Sequence, residues 1–308
     1  MMMPKSISRG SHIGIIAPAS PLEPIATHQA IEYLEKSGFV PVLGDSIFDQ
    51  QGFLAGSDES RLADVHRMFA DPMIDAILCL RGGYGSMRIV DQIDYDLIRC
   101  NPKWLIGYSD ITMLLIAIYQ ETGLSTIHGP MLSELPKSYA SKWWESLWET
   151  LESPTECFVY PKTKKAHCLF PGKAEGPIIG GNLSLLAASL GTPFEVNTVG
   201  HILFIEEVGE NPYRVDRMLT QLRLAGKLQA ANGILFGHFT NCQAPDNQTS
   251  ISLSTILAEH ALQAGVPAFM GFPSGHSLPN YPVPIGALVH MDANSCELCL
   301  SPEIPYLY

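Results

Sequence analysis

Along the first 135 residues, short apolar runs alternate with amphipathic stretches. HIGII (12–16) is a continuous apolar run, and PIATHQAIEYLEKSGF (24–39) places Ile25, Ile31 and Leu34 at helical spacing before ending at Gly38. VPVLGDSI (40–47) reads as a second strand and DESRLADVHRMFADP (58–72) as a helix with Asp58 as its N-cap. IDAILCL (74–80) is a third strand, followed by the loop RGGYG (81–85) and a helix over SMRIVDQI (86–93). KWLIG (103–107) is the fourth strand and SDITMLLIAIYQETG (109–123) the helix after it. Continuous apolar strands separated by amphipathic helices predict a parallel sheet covered on both faces. Ligands on such sheets bind beyond the carboxyl ends of the strands. The loops RGGYG and GYSD both fall at that end.

The pattern breaks between Pro136 and Gly172. Trp143, Trp144 and Trp148 mark one short helix, and the Pro- and Lys-rich run from Pro154 to Lys173 reads as a linker. Strands then dominate: GPIIGGN (176–182), HILFIEEV (201–208), GILFGHF (233–239), PAFMGFP (267–273), ALVHMDA (287–293) and CELCLS (296–301). Helices are expected near 183–190, 212–226 and 251–264. The predicted organisation is an α/β domain over 1–150, a linker over 151–172 and a second α/β domain over 173–308.

Composition narrows the function classes. With 31 acidic residues against 19 Lys and Arg, the net charge is -12, and the only basic cluster is Lys162, Lys164 and Lys165. No nucleic-acid partner is expected. The longest apolar runs are far shorter than the roughly 20 residues that span a bilayer, so no membrane segment is expected. Seven scattered cysteines, several inside apolar runs, fit reduced thiols in a cytoplasmic protein. Cys296 and Cys299 form a C-x-x-C without a second ligand pair, and positions three apart on a strand face opposite sides, so no metal site is expected there.

Ser109 stands at a strand-to-helix junction, two residues after Gly107. That is where a hydrolase presents a nucleophile, and also where a helix places an N-cap. A G-x-S-x-G elbow would have a second glycine at position 111, which is Ile111 here. The N–H of Asp110 and those of Gly82 or Gly83 are candidate oxyanion donors. RGGYG lacks the spacing of a dinucleotide or P-loop site, so phosphate binding is weakly supported. A serine needs a base and the base an orienting carboxylate. His276, in the Gly/Pro-rich run GFPSGHSLPNYPVPIG, is the leading base, with His128 and His238 as competitors at strand ends. For the carboxylate, Glu206 and Glu207 are both open. Consecutive strand residues point to opposite faces, so only one is expected at a site. Asn182 reads either as a helix N-cap or as a site residue.

Six motifs in one order, RGGYG (81–85), GYSDIT (107–112), HGPM (128–131), GGNL (180–183), IEEVGENPYRVDRML (205–219) and GFPSGH (271–276), resemble the bacterial LD-carboxypeptidase family of murein tetrapeptide carboxypeptidases over nearly the whole chain. The resemblance implies a flavodoxin-like parallel-sheet N-terminal domain with the nucleophile and a swivelling α/β C-terminal domain with the acid and the base. It implies Ser109 as nucleophile, Glu206 as acid and His276 as base of a cytoplasmic serine peptidase, commonly a homodimer, that needs no metal or organic cofactor. The expected reaction releases the terminal D-alanine from muropeptides in cell-wall recycling. Arg81, Tyr84, Asn182 and Arg214 are the substrate-binding candidates, either arginine being a forked donor for a carboxylate. The related microcin-C immunity proteins, which cleave acyl-sulfamoyl adenylates, are the alternative; a non-catalytic cleft-binding protein is a third reading. The aromatic insertion typical of the immunity proteins is not evident.

Overall fold

The computed structural model describes residues 2–138, 141–154, 156–244 and 249–301. Two compact units emerge: Met1–Pro154 with Tyr281–Pro284, and Thr155–Asn280 with Ile285–Tyr308.

In the first unit, β1 (His12–Ile16), β2 (Val40–Leu43), β3 (Ala76–Cys79), β4 (Trp104–Gly107) and β5 (Thr126–His128) lie side by side in the order β5-β4-β3-β1-β2. All four pairings are parallel. This is the flavodoxin-like order, with its switch point between β1 and β3. Every residue of β3 and β4 is buried, which is why their sequences run apolar without alternation. The core joins Ile13, Ile15, Leu34, Phe39, Leu78, Trp104 and Ile106 to Trp144 and Trp148 of the helix Lys142–Glu152.

Three local details differ from the sequence reading. The helix Asp58–Ala70 is capped by Ser57, whose hydroxyl accepts the Ser60 N–H at 3.2 Å. Asp58 is instead a first-turn residue, and its carboxylate takes Arg61 and Arg88. Residues 86–93 form two short 3₁₀ turns, Ser86–Arg88 and Val90–Gln92. An unexpected helix, Tyr95–Cys100, follows, capped by Asp94 through the Leu97 N–H at 2.8 Å. The helix Thr112–Thr122 is buried at every position from Thr112 to Ile118, so it carries apolar residues all round rather than in one stripe.

The second unit contains β6 (Phe158–Val159), β7 (His167–Phe170), β8 (Lys173–Asn182), β9 (Ile202–Val208), β10 (Gly233–Thr240) and β11 (Ala268–Met270). After β12 (Val283–Ile285) come β13 (Leu288–Asp292) and β14 (Glu297–Leu300). The second sheet runs β6-β14-β13-β8-β9-β10-β11-β7. Its centre, β8 to β11, is parallel, and its flanks are antiparallel. The segment expected to be a linker therefore supplies both outermost strands, β6 and β7. Prolines and lysines next to edge strands do not break a ladder as they would at its centre, so the composition that reads as linker belongs to sheet edges. β12 joins the first sheet beside β5, so the chain crosses between units more than once. The expected helices are Leu183–Ala188, Pro212–Leu224 and Leu253–Ala264.

Candidate active site

In the first unit, the chain leaves β4 through Gly107 and Tyr108 and turns at Ser109, the first residue of a 3₁₀ turn over Ser109–Ile111. Ser109 has φ 63°, in the left-handed region that an ordinary side chain avoids. A non-glycine residue there costs on the order of 1–3 kcal/mol and persists only where its surroundings hold it. Gly107 does not provide the sharp turn. It lets Ile111 pack close, since a Cβ at position 107 would lie 2.9 Å from Ile111 Cγ2. Ser109 does not serve as a side-chain cap of the helix that follows: that helix starts from Ile111 with no side-chain cap.

The loop after β3 lies against this turn. A Cβ on Gly82 would sit 2.9 Å from Ser109 Cβ, 3.1 Å from its Oγ and 3.4 Å from the Asp110 nitrogen, so only glycine fits beside the serine. Gly83, at φ 115°, packs instead on Ser20 from the loop after β1. Ser20 accepts the Tyr84 N–H at 3.2 Å and donates its own N–H to the Gly82 carbonyl at 3.3 Å. Three loops from the carboxyl ends of β1, β3 and β4 thus meet around Ser109. The side chain of Asp110 is 2% exposed, and burial raises its pKa against the opposing pull of donors from Ser86 and Gly85 and the charge of Arg61.

In the second unit, β9 ends in two buried carboxylates. Glu206 Oε2 accepts His276 Nδ1 at 2.6 Å, and Glu206 is 0% exposed. With Nδ1 donating to the carboxylate, the neutral imidazole carries its basic lone pair on Nε2. Gly275, at φ 121°, permits the approach: a Cβ there would lie 2.9 Å from Glu206 Oε2. Asn280 holds the same loop by accepting the Gly275 N–H at 3.0 Å and the Ser274 hydroxyl at 3.3 Å. Glu207 is also buried. It accepts the Ser184 N–H at 2.8 Å, the Ser184 hydroxyl at 2.7 Å and the Val208 N–H at 2.7 Å. Burial raises the Glu207 pKa, with the charge of Glu206 adding to the shift. Glu206 is the one of the pair that contacts His276, while Glu207, buried on the other face of the strand, is held by Ser184 and Val208. Asn182 joins them, its amide nitrogen reaching Glu206 Oε1 at 3.3 Å and Glu207 Oε1 at 3.2 Å. Its oxygen meanwhile accepts the Leu185 N–H at 3.4 Å, so it is at once the cap of a short helix and a bridge between carboxylates.

The remaining candidates have separate places. Arg81 Nη1 donates to the Pro21 carbonyl at 3.1 Å, and the exposed Tyr84 ring meets Phe53 edge-on at 5.4 Å between centroids. Arg214 pairs with Glu210 at 3.3 Å on the helix Pro212–Leu224. His238 Nε2 contacts the Pro279 carbonyl at 2.9 Å and its backbone N–H donates to the Ser274 carbonyl at 2.9 Å, bracing the loop that carries His276. His128 is fully buried, 5.6 Å edge-on from the Tyr108 ring. Cys296 lies in the turn before β14 at φ 55°, and all seven cysteines are free. Among the described residues, no group of three or more His, Cys, Asp or Glu side chains is arranged to hold a metal ion, and no helix is long and apolar enough to cross a membrane. Sequence reasoning missed Ser20, Arg61, Ser86, Ser184 and Asn280. Ser86, Ser184 and Asn280 stand within or beside glycine-rich loops, whereas Ser20 and Arg61, the latter inside the helix Asp58–Ala70, carry no such signal.

Residues 13–129 match the LD-carboxypeptidase N-terminal domain and residues 175–291 the LD-carboxypeptidase C-terminal domain. A probable murein peptide carboxypeptidase of Bacillus subtilis is 46% identical over 290 residues, which is 94% of this chain and 91% of that protein. The crystal structure of a muramoyltetrapeptide carboxypeptidase from Oxalobacter formigenes superimposes with TM-score 0.85 at 27% identity, covering 96% of this chain and 100% of that one. An MccF-like protein from Bacillus anthracis does so with TM-score 0.87 at 26% identity, over 98% and 99% of the two chains. The match covers both units and extends across nearly the full length of these relatives. This chain belongs to the LD-carboxypeptidase family of peptidases.

Proposed function

We propose that the enzyme removes the terminal D-alanine from murein tetrapeptides by acyl transfer through Ser109. His276 takes the Ser109 proton as Oγ attacks the carbonyl carbon, and Glu206 holds the imidazole and stabilises its charged form. The N–H groups of Asp110 and Gly82 receive the tetrahedral oxyanion. Collapse of that intermediate expels D-alanine, whose amine takes the proton from His276, and water then releases the tripeptide by the same steps in reverse order. Gly82 is preferred over Gly83 because Gly82 is the glycine that lies against Ser109. Arg81, Tyr84 and Arg214 are the groups proposed to meet the substrate, an arginine taking the terminal carboxylate. Asn182 acts through Glu206 instead, its amide being engaged with both carboxylates.

The observation that carries the residue roles is the 2.6 Å bond from His276 to a fully buried Glu206. The substrate rests on the murein peptide and muramoyltetrapeptide carboxypeptidases that the chain resembles. Seven free thiols support a reducing compartment, and we place the enzyme in the cytoplasm, as a homodimer acting on imported muropeptides. The test is D-alanine release from L-Ala-γ-D-Glu-meso-diaminopimelyl-D-Ala by the wild type and Ser109→Ala. Release that is lost in the variant is the expected result. A folded wild type that leaves the tetrapeptide intact, or that turns over an acyl-sulfamoyl adenylate instead, overturns the proposal.

A further inference from the structure

The loops around Ser109 do not hold themselves. Ser109 is in the left-handed region at φ 63°, and the glycine loop bends through Gly83 at φ 115° and Gly85 at φ 142°. Behind them lies a polar chain, buried at Asp110, Ser86 and Arg61, with no place in the mechanism above. Asp110 Oδ2 accepts the Ser86 N–H at 2.8 Å, and the Ser86 hydroxyl donates back to the Asp110 carbonyl. Arg61, 0% exposed, donates from Nη1 to the Gly85 carbonyl at 3.0 Å and also to the Pro18 carbonyl, and from Nη2 to Asp58. Asp58 is gripped from its other side by Arg88, with Nε at 2.9 Å and Nη2 at 2.7 Å. The Asp110 side chain caps neither its own 3₁₀ turn nor the following helix. A buried carboxylate is costly unless its partners compensate, and here every named partner lies on a neighbouring loop or serves one.

We infer that the Asp110 carboxylate, Ser86 and Arg61 form a positioning clamp that fixes the Gly82 loop against the Ser109 turn, so that the Gly82 and Asp110 N–H groups converge on one oxyanion. This rests on the serine mechanism proposed above. Oxyanion donors act only where their geometry is preset to the transition state. Loosening the clamp therefore lowers kcat and leaves ground-state binding in place.

The test is steady-state D-alanine release from the tetrapeptide by Asp110→Ala, Asp110→Asn and Ser86→Ala, with Ser109→Ala alongside and Tm measured for each. Asp110→Ala is expected to lower kcat about 100-fold with KM within about threefold of wild type. Asp110→Asn keeps an acceptor for the Ser86 N–H and is expected to recover at least about tenfold of that loss. Ser86→Ala keeps the backbone bond to Oδ2 and is expected to lose about tenfold, which also supplies the answer if Asp110→Ala does not fold. Wild-type kcat in Ser86→Ala and in whichever Asp110 variants fold, or a loss that appears in KM alone, overturns the clamp while Ser109→Ala is inactive. Release retained by Ser109→Ala overturns the serine mechanism itself.

Discussion

The two units restrain their candidate groups by different means. In the first, the restraint is on the backbone: Ser109 is held at φ 63°, and Gly82 makes room where a Cβ would meet the serine at 2.9 Å. In the second, the restraint is on side chains: Glu206 is buried, bonded to His276 and bridged through Asn182 to Glu207. The difference follows from the tasks proposed for them. A nucleophile must present one exposed atom and two backbone donors, which a strained turn does well. An acid and a base must keep one tautomer and one orientation, which hydrogen bonds to the side chains provide.

Outside Ser109 and His276 themselves, the largest effect is expected from Glu206→Gln, which breaks the side-chain restraint at its centre. An amide no longer favours the Nδ1–H tautomer or the imidazolium, and kcat should fall about 10³–10⁴-fold in a variant that still melts cooperatively. Gly82→Ala attacks the backbone restraint in the same way, and its Cβ is expected to cost about 100-fold in kcat. Asn182→Ala should cost less, about tenfold in kcat, with about 1–3 kcal/mol of stability lost in urea unfolding because two buried carboxylates lose their shared donor.

Two changes should affect stability alone. The buried Lys103 ammonium donates to the carbonyls of Met68 at 2.9 Å, Phe69 at 2.8 Å and also Asp71, closing the end of the helix Asp58–Ala70. Lys103→Met is expected to lower stability by about 2 kcal/mol and leave kcat unchanged. The smallest effect concerns pH. His66 Nε2 accepts the Asp94 N–H at 3.0 Å, and burial lowers its pKa from 6.5. A group with a lowered folded pKa favours the neutral form in the native state, so its stabilisation is present above pH about 6.5 and is lost as pH falls below. In the second unit, burial also lowers the His201 pKa, but its Nδ1 contact at 2.8 Å is to the Val199 carbonyl, a bond the protonated ring retains. Between pH 7.5 and 5.5, the wild-type urea midpoint should fall, and His66→Gln should flatten that fall more than His201→Gln does.

How much of this is legible in sequence depends on the kind of restraint. Four of the five parallel strands of the first unit are read from apolar runs, and β3 and β4 run apolar throughout because strands buried on both faces admit little else, whereas β5 is only three residues long and carries a threonine and a histidine. Ser109 is legible as a strand-to-helix serine, but its positive φ is not, since glycine, the residue that would signal it, stands at 107 and packs on Ile111 instead. At Glu206 and Glu207, the period-2 rule sends the two carboxylates to opposite faces without saying which one meets a base. Both are buried because Asn182 and Ser184, some 20 residues upstream, supply donors that no local pattern announces. β6 and β7 hide behind prolines and lysines that an edge tolerates, and β12 is only three residues long. The order of six weak motifs points to the family where each alone does not.

Under the proposed mechanism, the backbone-held serine and the side-chain-held histidine act as one catalytic unit. The most direct test is the rate of D-alanine release from the tetrapeptide by Ser109→Ala, His276→Ala and the double variant. Residues that work as a unit are strongly non-additive. Each single variant is expected to lose nearly all activity, and the double to lose no more than either alone. Losses that multiply in the double variant, or a His276→Ala enzyme that keeps wild-type kcat, would contradict that mechanism.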